Sequence, residues 1–300
     1  MRTAFISRLI DLARIDESVF LIVGDLGFSV VEPFANEFPK RFLNAGVAEQ
    51  NMTGLAAGLA NEGYKVFTYS IGNFPTLRAM EQIRYDICYH NLNVNIVSVG
   101  AGFAYGPLGA SHHTTEDIGM MRTLPNMRIF SPGDPIEAEL ITDYLVKSTG
   151  PSYIRLGKAG EAFVHRTDKV FSVLDIIPVI CRPSSNTAVI ASGSILKYAF
   201  NYLTESDGKQ CDLYSCPTIK PLNIKSLLKI ALKYDSLITL EEHQKSAGFG
   251  SAIIEQLSDL RYEKKIVNIP LVRRIAIPDE FYYVAGSQDY LRKLAGLYLD

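Results

Sequence analysis

The stretch NAGVAEQNMTGLAAGLANEGYKVFTYSIGNF, residues 44–74, decides the fold. Val47–Asn61 is rich in Ala and Leu and is followed by Gly63, the position of a helix C-terminus. Lys65–Tyr69 then changes to β-branched and aromatic residues and reads as a strand. The same alternation runs outward in both directions. Before it, Met1–Arg14 reads as an amphipathic helix and Val19–Val23 as a buried strand ending at Gly24. After it come helical spacing over Leu77–Tyr89, a strand at Val94–Val99 and a strand at Met127–Ser131. The turn Pro132-Gly133-Asp134-Pro135 opens a helix over Ile136–Val146, and Ser152–Leu156 is a further strand. This pattern predicts an α/β class, a doubly wound, mainly parallel sheet with helices on both faces. Ligands of such folds lie beyond the C-terminal ends of the strands.

From about Gly157 to Pro183 the rhythm breaks, and Pro178, Pro183 and Ser184-Ser185-Asn186 read as a linker. It then restarts with strands at Thr187–Ala191, Cys211–Ser215 and Ser236–Glu241. Helices fall at Leu196–Leu203, Ile224–Tyr234 and Gly250–Leu257. The expected organisation is a first domain over residues 1–175 and a smaller α/β domain over 180–300.

Composition narrows the function classes. Among 300 residues, 30 are Lys or Arg and 32 are Asp or Glu, a formal net charge of −2. That balance argues against a general nucleic-acid binder. No apolar run approaches the ~20 residues of a membrane span. Met1–Arg14 lacks the continuous apolar stretch and cleavage site of a secretory signal. The four cysteines form no C-x-x-C, which points to a reduced, cytoplasmic protein without a disulfide scaffold or zinc site.

Four segments are candidates for chemistry. Glu49 opens a helix made close-packing by Ala56, Ala57, Gly58 and Ala60. It is either a helix-start Glu favoured by the dipole or a functional carboxylate held away from water. Gly100–Glu116, GAGFAYGPLGASHHTTE, follows a buried strand and carries His112-His113. It is an ordinary loop or a substrate and proton-transfer loop, since imidazoles exchange protons near neutral pH. A metal site there lacks a third ligand. Gly24-Asp25-Leu26-Gly27 is an acidic βα turn without a dinucleotide fingerprint. Glu241-Glu242-His243-Gln244, with Gly248 and Gly250 after it, reads as the packed start of a helix or as a carboxylate site.

Together and in this order, these segments resemble the second half of a transketolase-type thiamine diphosphate enzyme. Asp25-Leu26 resembles the acidic turn that opens the pyrimidine-binding domain. GVAEQN and AAGLANEGYKVFTYSIGNF are similar to deoxyxylulose-phosphate synthases without a gap from Glu49 to Phe74. GASHHTTEDIGMMRTLPNMRIFSPGD resembles the family's T-H-Q segment, and EEHQKSAGFGSAI the C-terminal domain shared with 2-oxoacid dehydrogenase β subunits.

The resemblance implies a pyrimidine-binding domain followed by a transketolase C-terminal domain, and it implies roles. Glu49 matches the Glu that hydrogen-bonds the cofactor's aminopyrimidine nitrogen and favours the tautomer that takes a proton from the thiazolium. Phe74 matches the ring that stacks on the aminopyrimidine, Asp25 and Leu26 fall among the cofactor-binding positions, and His112 matches the active-site His near a substrate oxygen. For Phe74, plain core packing is the alternative. Arg155 matches a phosphate-binding Arg.

Three departures shape the expectation. Gly24-Asp25-Leu26 with Asn51 lacks the third glycine of the family's G-D-G…N motif, so diphosphate and Mg²⁺ are expected on a separate partner subunit. Leu108 stands where transketolases place an Asp that touches the donor sugar. Gly100 stands where a basic phosphate contact is common, which leaves Arg155 and Lys158, with Tyr105 and His113 as replacement contacts. The implied protein is a split transketolase-like β-type subunit in an α2β2 heterotetramer, acting on a small carbonyl or sugar substrate. A 2-oxoacid β-type subunit and a non-catalytic regulatory or scaffold subunit are the alternatives.

Overall fold

The computed structural model describes residues 1–158, 160–166, 170–205 and 210–300. In the first half the strands are β1 (Val19–Val23), β2 (Phe42–Asn44), β3 (Lys65–Ile71), β4 (Val94–Val99), β5 (Arg128–Phe130) and β6 (Ser152–Leu156). The second half holds β7 (Ile177–Ile180), β8 (Thr187–Ser192), β9 (Cys211–Ser215), β10 (Thr218–Lys220), β11 (Ser236–Gln244) and β12 (Leu271–Ile277).

The first sheet has the order β10-β5-β6-β4-β3-β1-β2 and is parallel except for β10. Successive residues of its central strands point to opposite faces. In β1, Phe20 and Ile22 join one apolar cluster with Met52 and Ala56 of the helix Glu49–Asn61. Val19, Leu21 and Val23 join a second cluster with Phe5 and Leu9 of the helix Arg2–Ile15 and Ile141 and Leu145 of the helix Pro135–Lys147. With both faces covered, β1, β4 and β6 are buried along their whole length; β1 is apolar throughout, while the polar residues of the other two find partners inside, Ser152 donating to Asn95 at 2.5 Å and Arg155 pairing with Asp117. The helix Pro135–Lys147 starts where Asp134 accepts from the Glu137 amide at 3.0 Å, with Pro135 in its first turn.

The second sheet has the order β12-β11-β8-β9-β7, parallel except for β7. The first cluster continues into it through Ala188, Ile190, Leu227 and Phe249, so one core runs through both halves.

Three expectations change. The segment read as a linker contains β7, an antiparallel edge strand, the position in a sheet that tolerates Pro178. Strand β10, inside the range expected for the second domain, crosses to the first sheet and pairs Thr218 with Phe130. The single helix expected over Leu77–Tyr89 is broken into Phe74–Leu77, Met80–Gln82 and a π-helical stretch Ile83–Tyr89. At the break, the Arg78 carbonyl accepts from the side chain of Gln50 at 2.9 Å.

Candidate functional site

The candidate residues gather where the parallel strands of the first sheet end. Beyond β2, Gly46 adopts φ +71° and the chain turns into the helix whose first residue is Glu49. Glu49 is 2% exposed. Its Oε2 lies 3.3 Å from Arg78 Nη1, and its Oε1 is buried with no hydrogen-bond partner. An unpaired buried carboxylate oxygen is costly, which marks a site where a donor is expected from outside the chain.

Beyond β3, Gly72-Asn73-Phe74 turns over the loop that follows β4. A Cβ on Gly72 would fall 1.7 Å from Thr114 Oγ1, so only glycine permits this approach. Asn73 donates its side-chain amide to the His113 carbonyl, binding the turn to the histidine loop. Phe74 is half-buried. It carries the Arg78 guanidinium on one face, 4.2 Å from the ring centroid, and meets the His112 ring edge-on at 5.4 Å.

The histidines differ. His112 is half-buried at the rim, with Nδ1 3.0 Å from Ser111 Oγ. His113 is buried against Phe103, rings 5.1 Å apart, and its Nε2 has no partner. Burial lowers its pKa below the usual imidazole value, favouring a neutral ring. A cleft of about 340 Å³ is lined by Phe74, Arg78, Ser111, His113, Phe281 and Tyr282, among others.

Other expected residues lie elsewhere. Asp25 is exposed at the end of β1 with φ +56°, paired side chain to side chain with Asn44 at 3.0 Å; half-buried Leu26 follows it. Leu108 is 56% exposed on the turn Gly106–Leu108.

Two residues expected at the substrate have side chains turned into the protein. Tyr105 does not face the cleft. Its ring packs over Gly100, where a Cβ would lie 2.2 Å from it, and joins the apolar cluster of Phe5 and Tyr69. The room for a basic side chain at position 100 is filled by that ring, and Gly100 holds φ +98°.

Arg155 is 2% exposed and committed inside the protein. It donates to Asp117 Oδ2 at 2.7 Å, to the Thr114 carbonyl at 2.6 Å and to the Glu242 carbonyl at 2.9 Å. β6 is covered on both faces, and the guanidinium is turned toward these partners.

The Glu241–Gln244 segment holds the halves together. Glu241 accepts from the amides of Phe249 and Gly250 at 2.6 and 2.7 Å, at the start of the helix Phe249–Tyr262; burial pushes its pKa up to about 7. Glu242 accepts from the Phe103 amide at 2.6 Å and pairs with Arg292 at 2.6 Å, fixing the loop after β4.

The sequence reading missed Arg78, Asn73, Phe281 and Tyr282. The spacing of Phe74 and Arg78 by four residues was a signal for the first. The last two come from a distant segment that carries none. Among the described residues, no three His, Cys, Asp or Glu come together to hold a metal, and no helix is long and apolar enough to cross a membrane.

The chain thus folds as two α/β units, with a buried carboxylate and an aromatic face at the strand ends of the first. The chain belongs to the transketolase family: residues 1–160 match the transketolase pyrimidine binding domain and 179–299 the transketolase C-terminal domain. It is 34% identical over 272 residues to an apulose-4-phosphate transketolase subunit of Phocaeicola vulgatus, covering 90% of this chain and 87% of that one. It is 33% identical over 300 residues to a putative transketolase C-terminal section of Methanocaldococcus jannaschii, covering 99% and 92%. A solved structure titled "Split gene transketolase, inactive beta4 tetramer" superposes with a TM-score of 0.83 at 31% identity, covering 99% and 93%.

Proposed function

We propose that this chain is the pyrimidine-binding subunit of a two-component, thiamine-diphosphate-dependent transketolase-like transferase that moves a two-carbon ketol unit between small carbonyl or sugar substrates in the cytoplasm. The observation that carries this reading is Glu49 Oε1, buried and without a partner, while Arg78 spans from the other carboxylate oxygen to the half-buried ring of Phe74. These groups fit an aminopyrimidine: Glu49 hydrogen-bonds a ring nitrogen and Phe74 offers a flat apolar face. When bound, the cofactor supplies the electron sink that makes a carbonyl carbon nucleophilic. The chain's own part is to orient that ring, to engage its nitrogen through the Glu49 carboxylate and to place His112 and His113 against substrate oxygens. Asp25 and Leu26 are assigned to the cofactor's edge at the rim.

The diphosphate and its Mg²⁺ belong on a partner subunit carrying G-D-G…N, in an assembly of two copies of each chain. The split-gene relative, whose title describes a tetramer of β chains alone as inactive, supports that dependence. Substitution of Glu49 by Gln tests the reading: turnover of the assembled enzyme falls at least a hundredfold with assembly intact, and unchanged turnover overturns it.

A 2-oxoacid β-type subunit is the second reading, favoured by Leu108 and by the withdrawal of Arg155 from the cleft. Offering hydroxypyruvate, pyruvate and a ketose phosphate decides between them, since consumption of pyruvate alone excludes transketolase activity.

A further inference from the structure

Arg78 touches both groups assigned to the cofactor. Its guanidinium lies flat enough on Phe74 to put Cζ 4.2 Å from the ring centroid, while Nη1 reaches Glu49 Oε2 at 3.3 Å. Stacking on Phe74 and donating to Glu49 are the two contacts that the aminopyrimidine would make. His112 meets Phe74 only edge-on, at 70°, so among the described residues the stacking contact is Arg78's. The residue is also held from behind, because Gln50, next to Glu49, donates to the Arg78 carbonyl at 2.9 Å.

The side chain itself is half exposed, free to swing outward, whereas Glu49 is fixed and buried. A buried carboxylate without a counter-charge is costly, which gives the pairing a physical reason in a chain without cofactor. Arg78 leaves Oε1 unsatisfied, so the pairing is a weaker match than one that engages both carboxylate oxygens.

We propose that Arg78 is a stand-in for the aminopyrimidine: it covers Phe74 and Glu49 in the cofactor-free chain and is displaced from both when the cofactor docks. This rests on the thiamine diphosphate reading above. It makes cofactor binding a replacement in which the arginine's two contacts are lost as the aminopyrimidine's are gained. Once displaced, the guanidinium is a cation at the mouth of the cleft, available to an anionic substrate group.

The test titrates thiamine diphosphate with Mg²⁺ into the assembled enzyme stripped of cofactor, by calorimetry, for the wild type, Arg78→Gln, Arg78→Lys and Glu49→Gln. Melting temperatures of the cofactor-free chains are measured alongside. Arg78→Gln is expected to bind cofactor roughly three- to tenfold tighter, the scale of one stacked cation and one half-exposed ion pair. Its cofactor-free form is expected to melt a few degrees lower. Arg78→Lys, which keeps the charge and loses the flat face, falls between. A merely structural arginine would weaken both properties together, and unchanged or weaker binding by Arg78→Gln overturns the stand-in. If the wild type takes up no cofactor, the functional reading falls and this inference with it. If the wild type binds and Glu49→Gln weakens binding, the functional reading stands and the Arg78 variants judge the stand-in alone.

Discussion

Replacing Arg155 with Met separates an internal tie from a substrate contact. The guanidinium is the hub of a buried network: Asp117 Oδ2 at 2.7 Å and the carbonyls of Thr114 and Glu242 at 2.6 and 2.9 Å. Asp117 is 1% exposed, and without Arg155 its remaining side-chain donor is Tyr153, at 2.6 Å, with Oδ1 already unpartnered. Removing one member of a buried ion pair costs about 3–5 kcal/mol, because the other charge stays buried. Two stranded carbonyls add to that. Against a total stability on the order of 5–15 kcal/mol, such a loss is large. Urea denaturation of the purified chain, followed by circular dichroism, should show the midpoint collapse. Adding Asp117→Asn should recover part of the loss, since it removes the stranded charge. A destabilisation under ~1 kcal/mol, together with a raised KM for a phosphorylated substrate, would refute the network reading and return Arg155 to the substrate.

Gly72→Ala places a methyl 1.7 Å from Thr114 Oγ1 and is expected to cost about 1–3 kcal/mol and to displace the His112–His113 loop, measurable as a lower melting temperature with reduced turnover. Burial lowers the pKa of His243 to about 4. The unfolded chain therefore binds the extra proton between pH 4 and 6.5, and this residue's contribution, about 3 kcal/mol, is present above that window and lost as pH falls through it. Glu241, raised to about 7, works in the opposite direction between pH 4.5 and 7, so the measurement is the difference between the stability–pH curves of the wild type and His243→Gln. Parallel curves would exclude the assignment.

The strands Val19–Val23, Val94–Val99, Ser152–Leu156 and Cys211–Ser215 were legible residue for residue. Each is covered on both faces or nearly so, and each carries a local cluster of apolar, β-branched or aromatic residues that the sequence displays even where a polar residue such as Asn95, Arg155 or Asp212 interrupts it. Phe42–Asn44 and Thr218–Lys220 were not legible, since three residues carry no period and their pairing is decided by distant partners. Glu49, Phe74, His112 and His113 were visible through motif resemblance, and the structure brings Glu49 and Phe74 together through Arg78.

The direction of a side chain was not visible. Tyr105 and Arg155 lie in segments similar to substrate-binding ones, yet one packs over Gly100 and the other faces Asp117. Sequence by itself determined the alternation of elements, the two α/β halves and the motifs at the strand ends, because burial and backbone preference act over a few neighbouring residues. Only the tertiary structure decided that Arg155 belongs to the core and that Arg78 reaches Glu49 and Phe74. Those assignments depend on which segments, 29 residues apart for Glu49 and Arg78 and 87 apart for Arg155 and Glu242, pack against each other.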